Sequence, residues 1–277
     1  MTVSKGAKFL QKGFSYFFLF FYCIFVILPI FWVFSTSLQF GKAVQFSFLP
    51  EKITIENYRY IFTQSQMMRS LVNSLIVAIS ATGISVTVSA TAGFALSNRY
   101  SFKGKTAFMV FIMGVFMIPI LVNIIPLYVI LQTIGWLNTY WGLIITYQAL
   151  ILPLNIFLMR NFFNTIPKEL EESAMLDGCS KFEAFRRVTL PLSWPGLAVA
   201  SIFAFRFSWN DYIFAITLTS GRDMATFQAA IYWFMGLERA NWGYLAAGTI
   251  VGMIPALLIF FIFQRRFVEG LTMGALK

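Results

Sequence analysis

Histidine is absent from this chain of 277 residues, and cysteine occurs only twice. Without an imidazole there is no His general base, no His metal ligand and no side chain that ordinarily titrates near neutral pH. Cys23 lies in an apolar stretch and Cys179 in a polar one, so the pair offers neither CxxC nor a metal-ligand spacing. Charge is scarce too: Asp, Glu, Lys and Arg make up 12% of the residues, half of the roughly 25% found in a soluble domain. No GxxxxGK[ST] occurs, which excludes a phosphate-cradling P-loop in this chain. Outside one polar segment near the middle, no paired carboxylates and no nucleophile–base set stand together, so a membrane enzyme has no chemistry to work with.

What is present is apolar surface. Hydrophobic residues make up 58% of the chain, with 33 Phe, and the mean hydropathy is +0.74. A spanning helix needs about 20 mostly apolar residues. Six stretches qualify, at about 14–34, 71–96, 107–131, 141–163, 196–218 and 243–263. The expected fold is therefore all-α and polytopic, with residues 1–13 as an N-terminal segment, 14–263 as one six-helix transmembrane domain and 264–277 as a tail. The first apolar run is longer than the roughly 7–15 residues of a signal-peptide core, so it reads as a retained span. Among transporters, a self-sufficient secondary carrier would show internal repeats and a midplane broken helix; no clear repeat is seen.

The net charge of +10 does not point to nucleic acid, because the cations sit between apolar stretches. Lys and Arg concentrate on the cytoplasmic side of membrane proteins. With the N-terminus inside, the inner segments hold Lys5, Lys8, Lys12, Arg99, Lys103, Lys105, Arg160, Lys168, Lys181, Arg186, Arg187, Arg265, Arg266 and Lys277. The outer segments hold only Lys42, Lys52, Arg59, Arg69, Arg222 and Arg239. Both termini are thus expected inside. Trp136, Tyr140 and Trp141 mark an outer turn, and Trp242 opens the sixth span, as amphipathic rings do at interfaces.

Small residues recur at four-residue spacing: Ser85, Ser89 and Gly93 in the second span, Gly248 and Gly252 in the sixth. Such spacing lets helix backbones approach closely, within this chain or against a partner. Pro119, Pro126, Pro153 and Pro255 are expected to kink their helices.

The segment 164–195 differs from the other loops. Pro167 opens a short helix with Glu169, Glu171 and Glu172 in its early turns, where carboxylates favour the dipole, and Gly178 closes it. Leu170, Ala174 and Met175 are expected to form its apolar side. Ser180 and Glu183 form a capping box for a second helix, which carries Phe182, Phe185, Arg186 and Arg187. Pro191 and Pro195 are expected to stop it and start the fifth span. A helix held at the membrane surface this way suits insertion into a partner's groove; its acidic face disfavours anionic lipid.

The string EESAMLDG followed by LPLSWP resembles the EAA loop of binding-protein-dependent ABC importer permeases. Glu171, Glu172, Ala174, Asp177, Gly178, Leu190 and Pro191 stand where that family's pattern has them, while Ser173 and Cys179 replace residues that are usually Ala. ENYRYIF at 56–62, NSLIVA at 73–78, AGFALSNRYSFKGK at 92–105, IPLYVILQTIGWLNTYWGLI at 125–144, WND at 209–211 and the ending FVEGLTMGALK resemble, in order, segments of carbohydrate-uptake permeases of the maltose type. The resemblance implies a cytoplasmic coupling helix, carried by Glu171, Glu172, Ser173, Ala174, Leu176, Asp177 and Gly178, that docks into an ATPase. It also implies a bacterial or archaeal cytoplasmic membrane, a second permease subunit, two ATPase subunits that hold the ATP and Mg, and an extracytoplasmic solute-binding protein. The solute is expected to be a sugar or oligosaccharide, with glycerol phosphate or a polyol as the alternative. No catalytic residue, metal or cofactor is expected in this chain.

Arg206 falls about 15 Å into the fifth span at 1.5 Å per residue, where a charge seldom faces lipid. Arg206 and Asn210 share a helix face, and Asp211 is turned away. These three are expected either to line the pathway or to bond a partner subunit. Between 220 and 241, the resemblance implies a loop that reaches the binding protein's sugar cleft, where Gln228, Tyr232, Trp233 and Phe234 would suit sugar contact; an interfacial lid is the alternative.

Overall fold

The computed structural model describes the backbone of residues 5–39, 52–63, 65–236 and 241–275, and the side chains of 13–39, 52–63, 66–232 and 241–265. Helices α1 (Lys5–Ser37), α2 (Glu56–Thr63) and α3 (Ser65–Ala95) open the chain. Next come α4 (Lys105–Met117), a 3-10 turn (Ile120–Asn123), α5 (Ile124–Thr133) and α6 (Tyr140–Thr165). Then α7 (Glu169–Leu176), α8 (Lys181–Ala184), a π-helical turn (Phe185–Thr189) and α9 (Leu190–Leu192) lead into α10 (Trp194–Asn210). The chain ends with α11 (Ile213–Leu218), α12 (Phe227–Gly236) and α13 (Trp242–Ala275). Among the described residues the only extended pairing is one bridge between Gln39 and Ile53.

Four helices are long and apolar enough to cross a membrane: Gly13–Ser37, Gln66–Ala95, Tyr140–Thr165 and Trp242–Arg265. Six crossings result when two bent pairs are each counted once. The stretch 107–131 is one such pair: α4 and the following 120–133 segment meet at 95°. Pro119 lies in the break, where it has no N–H to give the helix and biases Ile118 to extended backbone. Hydropathy averages over this break, so a single span was the natural reading. The stretch 196–218 is also divided, because α10 ends at Asn210 and α11 begins at Ile213. The expected stop at Pro191 is corrected: helix continues to Leu192, and the 74° bend comes at Ser193. The π-helical turn shifts the hydrogen-bond register just before Pro191 and takes up its missing N–H. Pro153 and Pro255 lie inside α6 and α13, which continue through them.

The chain divides into two compact units. The first comprises residues 1–65 and 231–252. Here the apolar surface of α1 is exposed from Phe14 to Phe31, and only its last turn is buried. Asn57 of α2 ends that helix: its Nδ2 donates to the Ser37 and Gln39 carbonyls at 2.8 and 2.9 Å, satisfying oxygens that a helix end leaves free. Tyr58 and Ser37 share a hydroxyl bond at 2.6 Å, and Tyr60 stacks on Tyr244 at 4.1 Å.

The second unit, 66–230 and 253–277, holds the main core, built where α3, α6 and α10 meet. Val77, Ala81, Leu143, Tyr147, Ile151, Ala204 and Phe214 form its centre. Buried amides cross-link the three helices. Gln148 Nε2 donates to the Ala81 carbonyl at 3.0 Å, and Asn155 Nδ2 donates to Ser85 Oγ at 3.0 Å and the Ala200 carbonyl at 3.1 Å. The Ser85–Ser89–Gly93 row faces this interior: both serines are fully buried, and a Cβ at Gly93 would lie 2.8 Å from Met159 Cβ. The row therefore serves packing within the chain.

Candidate functional site

The segment 169–192 folds onto the loop that follows α3. Its first helix, α7, ends in two carbonyl-capping bonds, from Gly178 N–H to Met175 at 3.1 Å and from Cys179 N–H to Ala174 at 3.0 Å. Gly178 sits at φ +91°, a left-handed conformation natural to glycine. The capping box of α8 is complete: Ser180 N–H donates to Glu183 Oε2 at 2.9 Å, and Glu183 N–H to Ser180 Oγ at 3.3 Å. These bonds, with Arg187 nearby, hold the Glu183 carboxyl below its usual range.

The expected apolar side of α7 forms only in part: Ala174 and Met175 are half-buried. Leu170 is exposed and Leu176 is 90% exposed. The residue it buries is Glu171, 5% exposed. The reason is electrostatic. Arg99, after α3, donates to Glu171 Oε2 at 2.9 Å, and the two side chains are only 4% and 7% exposed. Tyr100 donates its hydroxyl to Glu171 Oε1 at 2.9 Å, and Thr189 reaches Oε2 at 3.5 Å. A buried carboxylate is tolerated only when paired and bonded in this way. Burial, and then the bond to Glu171, push the Tyr100 phenol up to about 12.

Arg99 also donates to the Phe163 and Ile166 carbonyls at 3.3 and 2.8 Å, at the end of α6. Around it, Lys168 Nζ donates to the Asn98 carbonyl at 2.8 Å, Asn98 N–H to Asn164 Oδ1 at 2.7 Å and Arg160 Nε to the Leu96 carbonyl at 3.0 Å. Phe94, Phe163 and Phe185 pack together nearby, Phe94 and Phe185 at 4.3 Å. Glu172, Ser173, Asp177 and Gly178 stay exposed, and Ala174 half-buried.

Of the span-five trio, Arg206 and Asn210 are exposed on this chain, beside a cleft of about 220 Å³ that includes Ile120 and Leu121 of the third-span turn. Asp211 is engaged internally. It accepts from Tyr147 Oη at 2.9 Å, from Ala215 N–H at 2.9 Å and from Phe214 N–H at 3.4 Å, so it joins α10 to α11 and to α6.

Residues 85–272 match the family described as "Binding-protein-dependent transport system inner membrane component". The chain belongs to this family. A trehalose transport system permease protein, SugB of Mycobacterium tuberculosis, is 38% identical over 91% of this permease and 93% of its own length. A maltodextrin transport system permease protein, MdxG of Bacillus subtilis, is 30% identical over 99% of both chains. The fold matches that in the crystal structure of a bacterial ABC transporter involved in import of the acidic polysaccharide alginate. The TM-score is 0.79 and the identity 22%, with 96% of this permease and 99% of that chain covered.

The segment read as an outer loop is partly helix, since α12 covers Phe227–Gly236. Gln228 is half-buried and Tyr232 exposed, whereas the side chains of Trp233 and Phe234 lie outside the described residues, as does the C-terminal tail's side-chain detail. Sequence reasoning missed Arg99, Tyr100 and Thr189 as partners of Glu171. The available signal was a lone Arg in the polar loop at 97–104.

Proposed function

We propose that this permease is one of two membrane-spanning subunits of an ATP-driven, binding-protein-dependent importer of a sugar or oligosaccharide, in a bacterial or archaeal cell membrane. Its termini lie in the cytoplasm. Two ATPase subunits bind and hydrolyse ATP with Mg, and an extracytoplasmic binding protein delivers the solute. Helix α7 is the element that docks into an ATPase subunit, and Arg206 and Asn210 line half of the pathway. The relatives named for trehalose and maltodextrin transport support the solute class.

One observation carries the coupling role: α7 buries one of its acids, Glu171, and exposes its leucines. Leu176 is 90% exposed, and Phe182 of α8 is 69% exposed. A surface helix without a partner would turn these side chains inward, since burying a Leu or Phe is worth about 1.5–3 kcal/mol. Anchored from beneath by Glu171 and closed at Gly178, the helix presents them to a partner groove. The test is ATPase retention. Leu176→Asp and Gly178→Val are expected to release the ATPase subunits from the purified membrane complex, while an exposed substitution elsewhere, Thr87→Ala, keeps them. Full retention with both variants would refute docking through α7.

A further inference from the structure

A docking helix transmits work only if it cannot move independently of the spans. Helix α7 has eight residues, and its flanks, 166–168 and 177–180, are short non-helical links. Left to those links, α7 would yield under load while the spans stayed still. Among its own residues only Glu171 is buried.

We propose that Arg99 and Tyr100 are positioning residues for energy coupling, which clamp Glu171 so that displacement of α7 moves α3 and α6 with it. Three parts of the chain meet around this ion pair. The end of α3 supplies Arg99 to Oε2 and Tyr100 to Oε1, each at 2.9 Å. The end of α6 is tied in because the same guanidinium donates to the Phe163 and Ile166 carbonyls. The π-helical turn leading to α10 adds Thr189 at 3.5 Å. Tyr100 also packs edge-on against Phe94 of α3, with ring centroids 5.3 Å apart.

The chemistry of the joint fits transmission better than it fits stability. A buried ion pair is often no more stabilising than apolar residues of the same volume, since desolvation offsets attraction. Its distinctive property is register. Apolar side chains can slide past one another at little cost, whereas a charged fork on a carboxylate holds one geometry. The pair and its hydroxyl thus act as a stiff pin between the docking helix and two spans, where discrete rigid-body switching needs one.

This inference rests on the reading of α7 as the docking element, and one experiment separates the two. The complete complex, with Cys23 and Cys179 replaced by Ser and Asn210→Cys as a reporter, is reconstituted and probed with a membrane-impermeant maleimide, with and without ATP–vanadate. The native pair is expected to show nucleotide-dependent labelling; its absence would overturn the docking reading itself. Arg99→Met with Glu171→Met keeps volume and removes charge. The complex is expected to retain its ATPase subunits and hydrolyse ATP, yet lose the nucleotide-dependent change. An unchanged response would overturn the clamp. Should the double variant not assemble, Tyr100→Phe decides: the labelling response falls on the order of fivefold, the factor one hydrogen bond is worth, and an undiminished response overturns the proposal.

Discussion

Glu171 shows how one buried acid organises a surface helix. Its partners come from 72 and 71 residues earlier in the chain, Arg99 and Tyr100. The phenol of Tyr100 is bound as a donor, so it must keep its proton. Burial and the neighbouring carboxylate raise its pKa from 10.0 to about 12. The folded state therefore holds the proton through a range in which the unfolded chain has lost it. By linkage, its contribution is fully present below pH 10 and is lost as pH rises through about 12. A phenolate absorbance titration of the native chain against Tyr100→Phe should show one phenol titrating near 12. Titration of that phenol at 10 would contradict the bond to Glu171.

Helix packing in the second unit depends on small residues at particular heights. Gly93 allows α3 to approach α6, and a Cβ there would fall 2.8 Å from Met159 Cβ and 2.9 Å from the Arg160 nitrogen. Gly83, on the same helix, has nothing within 4 Å of such a Cβ. Gly93→Ala should therefore destabilise the protein by about 1–3 kcal/mol through overpacking. Gly83→Ala should be neutral or stabilise it by up to about 1 kcal/mol through helix propensity. Thermal unfolding in detergent distinguishes them, and equal effects would refute the close approach.

The features legible in the sequence were local ones. The Gly178 stop and the Ser180–Glu183 box depend on neighbours three to five residues apart, and both formed as spaced. The apolar side assigned to α7 held only in part: Ala174 and Met175 are half-buried but Leu170 is exposed, and hydrophobicity alone cannot reveal a cation 72 residues away. The kink at Pro119 was legible from the residue itself, but not its size, a 95° bend, since its flanks are as apolar as any continuous span.

At the scale of the whole molecule, the account is of a half-pore that receives work. The crossings number six only when two bent helix pairs count as one each. Both bends lie beside functional assignments. One places Ile120 and Leu121 at the cleft with Arg206 and Asn210, and the other, at Ser193, ends the segment proposed for coupling. Asp211 borders the same cleft and is also the joint between α10, α11 and α6. The most direct test of the central claim is uptake by the reconstituted complex, with its second permease subunit, ATPase subunits and binding protein, using radiolabelled trehalose and maltodextrin as probes. The account predicts accumulation of at least one sugar that requires ATP and the binding protein and ignores ion gradients. Uptake by this chain alone, driven by an ion gradient and indifferent to ATP, would contradict it.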